Sequence, residues 1–449
     1  MRSLSAGLGA PGAVAGPEYD ARRMESFVIE GGRRLSGTVR ASGNKNGALP
    51  ILAASVLASD EVRLTNVPRI RDVETMVELL ADLGADVEWT GPNDVRVDPR
   101  GVAKWKLDHG LAQEIRASFL LAGPLLARFG RVSVPPPGGD VIGRRRLDTH
   151  INAFQELGVE VELNGGYEMR TDGLRGKRMY LDEASVMGTE NAIMAAVLAE
   201  GETIVGHAAC EPHIQDLCRF LVSLGAHITG IGSNVLHIEG VQSLRGGDHR
   251  IGPEHVEVAS FAALAALTGG DVTIEDVEPD DLIAIVPAFR KLGIRMEIEG
   301  RSVRVAPGQD LHVVDDLGAQ IPKIESGVWP AFPADLTSIA LTCATQSHGT
   351  VLIFEKMFES RLFFVDKLVS MGARIILCDP HRAVVTGPAK LYAQRLESPD
   401  IRAGMAMVIA ALCAEGRSSI GNIGQIDRGY ERIDERLRQL GASIERAEL

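Results

Sequence analysis

The chain has 449 residues, 45% of them hydrophobic and 24% charged, and carries a formal net charge of −13. That length exceeds one ordinary core and that composition is globular, so two large domains are expected. No apolar run approaches the ~20 residues of a membrane span, and the acidic excess argues against nucleic acid or an anionic membrane as the main partner.

The opening stretch, MRSLSAGLGAPGAVAGPEYDARR, is Gly/Ala-rich and broken by Pro11 and Pro17. It lacks a signal peptide's apolar run and reads as a disordered extension over 1–24, with Met24 as an alternative start. FVIEGGRRLSGTVRASG at 27–43 reads as strand, and its pattern leaves open which domain it joins. In SGNKNGALP, Lys45 and Asn46 stand just ahead of an apolar helix. Free amides at a helix start favour an anion there, although a solvated turn lysine would look the same.

A phrase then recurs six times: LADLGADVEW, FQELGVEVEL, LVSLGAHITG, FRKLGIRMEI, LVSMGARIIL and LRQLGASIER, with glycines at 84, 158, 225, 293, 372 and 441. Each reads as helix, stop and strand. Val73, Met76, Val77, Leu80 and Leu83 fall on one face of a 3.6-residue period. Glycine ends such a helix because it enters the left-handed region without a Cβ clash, and the alternation in VEVEL is that of a half-buried strand. Further strands are expected at EVRLTNV, ETIVGHA, DVTIEDV and GTVLIFE. Six units of about 70 residues suggest an α/β (α+β) protein with three repeats in each of two lobes. HIEGVQSLRGGDHRIGPEHVEV at 237–258 has the glycines and charges of a linker between them.

Several charged residues sit where local physics does not favour them. Arg116 in EIRASFLL and Arg402 in SPDIRAGM occupy first helical turns, against the dipole. PPPGGDVIGRRRLDTH sets Arg144, Arg145 and Arg146 behind a Pro/Gly loop in an acidic chain. Asp335 in WPAFPADLTSIALTC is placed as a helix N-cap or as an acid in a site. FESR carries Glu359 and Arg361, and IDRGYERIDERL carries Arg428, for which Asp427 would be the local partner, as Asp400 would be for Arg402. Arginines in repeats from both halves fit a doubly anionic ligand between lobes. Five cysteines, at 210, 218, 343, 378 and 413, stand singly in apolar segments. A reduced, cytoplasmic, zinc-free protein with buried thiols is expected.

The motifs SGNKNGALP, RASFLLAGPLLARFG, PGGDVIGRRRLDTH, SVMGTEN, EPHIQDL, PAFPADL, FESR and IDRGYERI resemble the UDP-N-acetylglucosamine 1-carboxyvinyltransferase family of enolpyruvyl transferases and, more distantly, 5-enolpyruvylshikimate-3-phosphate synthase. The resemblance implies two lobes of three βαβαββ units each, one formed by 45–252 and the other by 25–44 with 253–449, and a site in the cleft. It implies addition of a sugar hydroxyl to phosphoenolpyruvate and elimination of phosphate, with no cofactor and no metal. The implied partners are phosphoenolpyruvate and a UDP-sugar, and the implied assembly a monomer, with an oligomer left open.

Carried over residue by residue, the resemblance makes Asp140, Asp335, Lys45 and Arg428 the catalytic set. Lys45 matches the lysine that meets phosphoenolpyruvate and Asn46 the asparagine beside the reacting hydroxyl. Arg116, Arg145, Arg361, Arg402 and Arg428 match the arginines around its phosphate and carboxylate, and Asp335 matches the general base. Glu359 falls in the same pocket wall, Asp148 and His150 flank uridine, and Ser185, Val186, Met187 and Gly188 lie along the diphosphate. Glu211 and Met357 complete the substrate-binding set.

Four positions depart from the family's common pattern. Asp140 stands where many members have cysteine, Glu183 where lysine is common, Cys210 where arginine is common, and Arg146 for a proline. Fosfomycin alkylates the cysteine at the Asp140 position, so the change implies a fosfomycin-resistant loop. A paralogous transferase acting on another nucleotide or sugar, or a catalytically dead ligand-binding regulator, remains open on the sequence alone.

Overall fold

The computed structural model describes residues 25–139 and 145–448. The expected extension at 1–24, Asp140 and Arg144 lie outside them.

Two hydrophobic cores form. One draws on residues 48–251, the other on 27–41 and 256–444; they are called the N-terminal and C-terminal bodies below. The described strands make six small sheets, five of four strands and one of three. Each sheet is built around one of the repeats. The four strands expected from patterning occur at Val62–Thr65, Glu202–Gly206, Asp271–Glu275 and Gly349–Phe354.

The repeat glycines behave as their chemistry requires. Gly84, Gly158, Gly225, Gly293, Gly372 and Gly441 have φ of 105°, 92°, 111°, 80°, 108° and 97°, the left-handed region where a Cβ is costly. The helix Arg71–Leu83 ends at Gly84 and buries Val73, Met76, Leu80 and Leu83, with Leu79 widening the stripe. Each such side chain contributes roughly 1.5–3 kcal/mol by leaving water.

The opening segment pairs with the C-terminal body. Glu25–Glu30 lies antiparallel between Arg417–Gly421 and Ser443–Glu448, and Ser36–Arg40 runs parallel to Asp271–Glu275. The chain passes between the bodies twice, side by side: Asn44 N donates to Gly252 O at 2.7 Å and Glu254 N to Ser42 O at 2.8 Å.

Two expectations need correction. The stretch 237–258 is no plain linker: Gly247–Arg250 is a strand parallel to Val62–Thr65, and a helix begins at His255. Its polar, glycine-containing letters hid a strand whose partner lies far back in the chain. Cys378 is exposed while Cys210, Cys218 and Cys343 are buried. Cys378 belongs to Arg374–Asp379, the outer strand of its sheet, and an apolar run on an edge strand is not a buried one. No helix of the described residues is long and apolar enough to cross a membrane.

Candidate active site

A cavity of about 320 Å³ lies between the bodies, lined by both. The N-terminal wall begins with the helix Lys45–Ala54. Asn44 caps it by accepting from Gly47 N at 3.0 Å, which sets Lys45 and Asn46 at the cleft. Lys45 is only 8% exposed, and its Nζ lies 2.7 Å from Asp72 Oδ2.

Ser185 caps the helix Val186–Ala196, its Oγ accepting from Gly188 N at 3.2 Å. Asn191 on that helix ties the wall together. Its Nδ2 donates to Phe119 O at 3.0 Å and lies 3.0 Å from His150 Nδ1, and its Oδ1 accepts from Gly123 N at 2.9 Å. Burial, with Arg116 adding to it, holds the His150 imidazole down to about 3, so it is neutral. Arg116 Nη2 donates to the carbonyls of Arg145 and Arg146 at 2.9 and 3.1 Å. Burial, and then the neighbouring Arg145, draw its guanidinium down to about 10.

The C-terminal wall is organised by Asp335. Although placed as a cap would be, Asp335 caps no helix; Thr337–Gln346 begins after Leu336 without a side-chain cap. Arg361 Nη2 donates to its Oδ1 at 2.9 Å, and Arg402 Nε to its Oδ2 at 3.0 Å. Burial pushes the Asp335 carboxyl up, but the charges of Arg402, Arg361 and Lys45 outweigh it and hold it well below the usual range. Asp400 answers the main chain, accepting from Arg402 N and Ala403 N at 2.8 and 3.0 Å. The Arg402 side chain is thereby left to reach Asp335 over the Tyr430 ring, 5.5 Å away.

Arg428 does not pair with Asp427, which takes Arg446 instead. It crosses to the N-terminal body, its Nε donating to Asp72 Oδ1 at 2.8 Å.

Of the residues expected from sequence, Lys45, Asn46, Arg116, Arg145, His150, Ser185, Val186, Met187, Glu211, Asp335, Met357, Arg361, Arg402 and Arg428 line this one cavity. Three others do not. Glu359 is exposed at a turn whose neighbours Phe358 and Arg361 take the inward positions. Asp148 faces outward and accepts from Arg146 Nε at 2.7 Å, and Gly188 lies behind Ser185 against Thr149. Glu183 and Arg146 also border the cavity.

Sequence reasoning missed Asp72 and His213. An acid in the first turn of a helix is what a dipole favours anyway, so Asp72 gave no local signal. His213 lines the cavity, is 6% exposed, and has no hydrogen-bond partner at either ring nitrogen among the described residues. Glu211 Oε2, Arg361 Nε and Arg402 Nη1 are buried and unpartnered there too. Buried polar atoms without partners cost about 1–3 kcal/mol each, and a polar ligand in the cleft would satisfy them. Among the described residues no group of three or more His, Cys, Asp or Glu is placed to hold a metal.

The chain is similar to known proteins. The sequence model of the family EPSP synthase (3-phosphoshikimate 1-carboxyvinyltransferase) matches residues 29–437. A protein of Treponema denticola named UDP-N-acetylglucosamine 1-carboxyvinyltransferase is 54% identical over 422 residues, which is 94% of this chain and 99% of the relative. One of the same name from Bradyrhizobium diazoefficiens is 54% identical over 420 residues, 94% of this chain and 97% of the relative.

Among solved structures, the enolpyruvyl transferase NikO from Streptomyces tendae superposes with a TM-score of 0.86 at 23% identity, over 95% of this chain and all of that one. An EPSP synthase from Acinetobacter baumannii gives 0.72 at 17% identity, over 94% of this chain and all of the other. These two carry the two-lobed fold alone. The chain therefore belongs to the EPSP synthase family of carboxyvinyl transferases and, within it, to the group of relatives named UDP-N-acetylglucosamine 1-carboxyvinyltransferase.

Proposed function

We propose that this enzyme transfers the enolpyruvyl group of phosphoenolpyruvate to the 3-hydroxyl of UDP-N-acetylglucosamine, the step that commits the sugar to peptidoglycan precursors. The observation that carries the reading is a carboxylate set between two arginines, facing a lysine and further arginines across a cleft, in a chain 54% identical to proteins of that name. We place the two lobes at 45–252 and at 25–44 with 253–449, so that the double crossing is the hinge.

The acceptor oxygen bonds to C2 of phosphoenolpyruvate while C3 gains a proton, giving a tetrahedral ketal that still holds phosphate and carboxylate. C3 then loses a proton, the C2–O bond to phosphate breaks, and inorganic phosphate leaves with the bonding pair. Arg116, Arg145, Arg361, Arg402 and Arg428, with Lys45, hold the two anionic groups through both steps.

Asp335 accepts the hydroxyl proton. Clamped by two arginines it is a weak base, so binding must draw part of their charge onto the ligand before Asp335 can act. Asn46 orients the hydroxyl, Asp140 serves proton transfer at carbon, and Met357 shapes the wall. His150, Ser185, Val186 and Glu211 contact the UDP-sugar. Asp148, Gly188 and Glu359 support that wall from behind. Arg146 offsets Glu183 near the diphosphate.

Phosphate release with phosphoenolpyruvate and a panel of nucleotide sugars tests the reading. Turnover with UDP-N-acetylglucosamine is expected; turnover only with another acceptor would replace the substrate, and none with any would overturn the reaction.

A further inference from the structure

Lys45 and Arg428 come from different bodies yet share one carboxylate. Asp72 Oδ2 lies 2.7 Å from Lys45 Nζ, and its two oxygens accept from Arg428 Nε and Nη2 at 2.8 and 3.3 Å. Asp72 is 4% exposed and lines the cleft.

The segment that brings Arg428 is itself braced. Tyr430 is fully buried in its own body, with its hydroxyl 3.0 Å from Ser260 Oγ, and Glu431 reaches back across the gap to Asn93 Nδ2 at 3.1 Å. Arg428 thus has a fixed backbone and a receptor on the opposite wall. Arg428 also donates from Nη1 to Gln425 Oε1 at 2.9 Å on its own side, and Lys45 brings three ammonium donors to the cleft.

We propose that Asp72 is a positioning residue: it receives Arg428 as the bodies approach and fixes Lys45 and Arg428 side by side with donors turned to the phosphoenolpyruvate site. This rests on the reaction proposed above. Burial would raise the Asp72 carboxyl, but Lys45 and then Arg428 outweigh it and keep it ionised, as a shared anchor must be. Without the carboxylate Lys45 and Arg428 lose the group that holds them side by side, and their like charges drive them apart.

Steady-state kinetics of Asp72→Asn test this, with Asp82→Asn as control, since Asp82 sits on the same helix in an exposed pair with Lys104. Asp72→Asn should raise KM for phosphoenolpyruvate by about tenfold or more and lower kcat, while KM for the acceptor moves less than about threefold. Asp72→Asn combined with Arg428→Gln should lose less than the product of the two single losses. An unchanged KM for phosphoenolpyruvate, or losses that multiply, would overturn the proposal. A lowered KM would make Asp72 a place-holder for the ligand's anion instead.

Small-angle scattering without ligand gives a reading independent of activity. Asp72→Asn should increase the radius of gyration and Asp82→Asn should not; equal radii would remove the clasp. Where Asp72→Asn does not fold, Asp72→Glu takes its place, with the same KM split at smaller size. A wild-type enzyme that turns over normally beside an unchanged Asp72→Asn sinks this inference alone. A wild type inactive with phosphoenolpyruvate sinks the reaction and leaves scattering to decide the clasp.

Discussion

Two sets of arginines face one cleft and are held in opposite ways. Arg361 and Arg402 grip the same carboxylate, Asp335, at 2.9 and 3.0 Å from the C-terminal side. Arg116, on the N-terminal side, is steered by two main-chain carbonyls next to the arginine loop. A carboxylate neutralises as it orients; a carbonyl orients and leaves the charge in place. On the C-terminal wall the arginine charges are therefore met by a buried carboxylate, while on the N-terminal wall the charge of Arg116 is left in place.

The largest contrast concerns the loop itself. Fosfomycin should leave this enzyme active, because an epoxide is opened far more readily by a thiolate than by a carboxylate, and Asp140→Cys should confer complete, time-dependent inactivation. Exposed Cys378 is a place for an adduct without loss of activity. Mass spectrometry therefore has to be read beside an activity trace, and an adduct that tracks inactivation of the wild type would break the assignment.

On the C-terminal wall, Asp335→Ala should lower turnover by roughly 10²- to 10⁴-fold, the range of a positioned acid or base. A folded variant with near-normal turnover would reduce Asp335 to an anchor for Arg361 and Arg402.

Lys45→Ala or Arg428→Ala should each remove charge-assisted bonds worth about 1.5–3 kcal/mol and weaken phosphoenolpyruvate binding about 10- to 150-fold. Titration calorimetry with phosphoenolpyruvate reads this directly, and unchanged affinity in both would refute the cleft's role. Arg116→Ala should cost less, about tenfold in affinity, with little change in thermal stability because no buried carboxylate is orphaned. A large loss of stability would show that the carbonyl bonds hold the fold and not the charge.

The smallest effect is a pH slope. Unfolded histidines titrate near ~6.5, whereas burial holds His150, His213 and His255 down to about 3, 4 and 3. As pH falls through the window between those values the unfolded chain binds protons that the folded chain does not. Stability should then drop by up to ~1.4 kcal/mol per pH unit for each histidine. Denaturation midpoints from about pH 7 to about pH 5 measure this, and His150→Asn should flatten the slope; a wild type with constant stability across the window would contradict the neutral assignment.

What could be read from the letters follows the range of the interactions. The six glycines and the strands beside them are local matters of backbone freedom and periodicity, so their positions were legible. The arginines were legible as misfits, since a cation in a first helical turn needs a reason. Their partners were not. Asp400 and Asp427 stood nearest in sequence, yet Arg402 reaches Asp335 and Arg428 reaches Asp72, 67 and 356 residues away. Glu359, Asp148 and Gly188 lie off the cavity lining for a smaller reason: neighbours in one motif alternate between facing the cavity and facing away, and the motif does not say which.

The central claim is addition followed by elimination at one carbon in this cleft. Running the reaction with phosphoenolpyruvate and UDP-N-acetylglucosamine in deuterium oxide, and weighing the nucleotide-sugar product, tests it most directly. The account predicts one phosphate released per enolpyruvyl sugar formed, with carbon-bound deuterium in the new methylene group. Phosphate without an enolpyruvyl sugar, or a product free of deuterium, would contradict it.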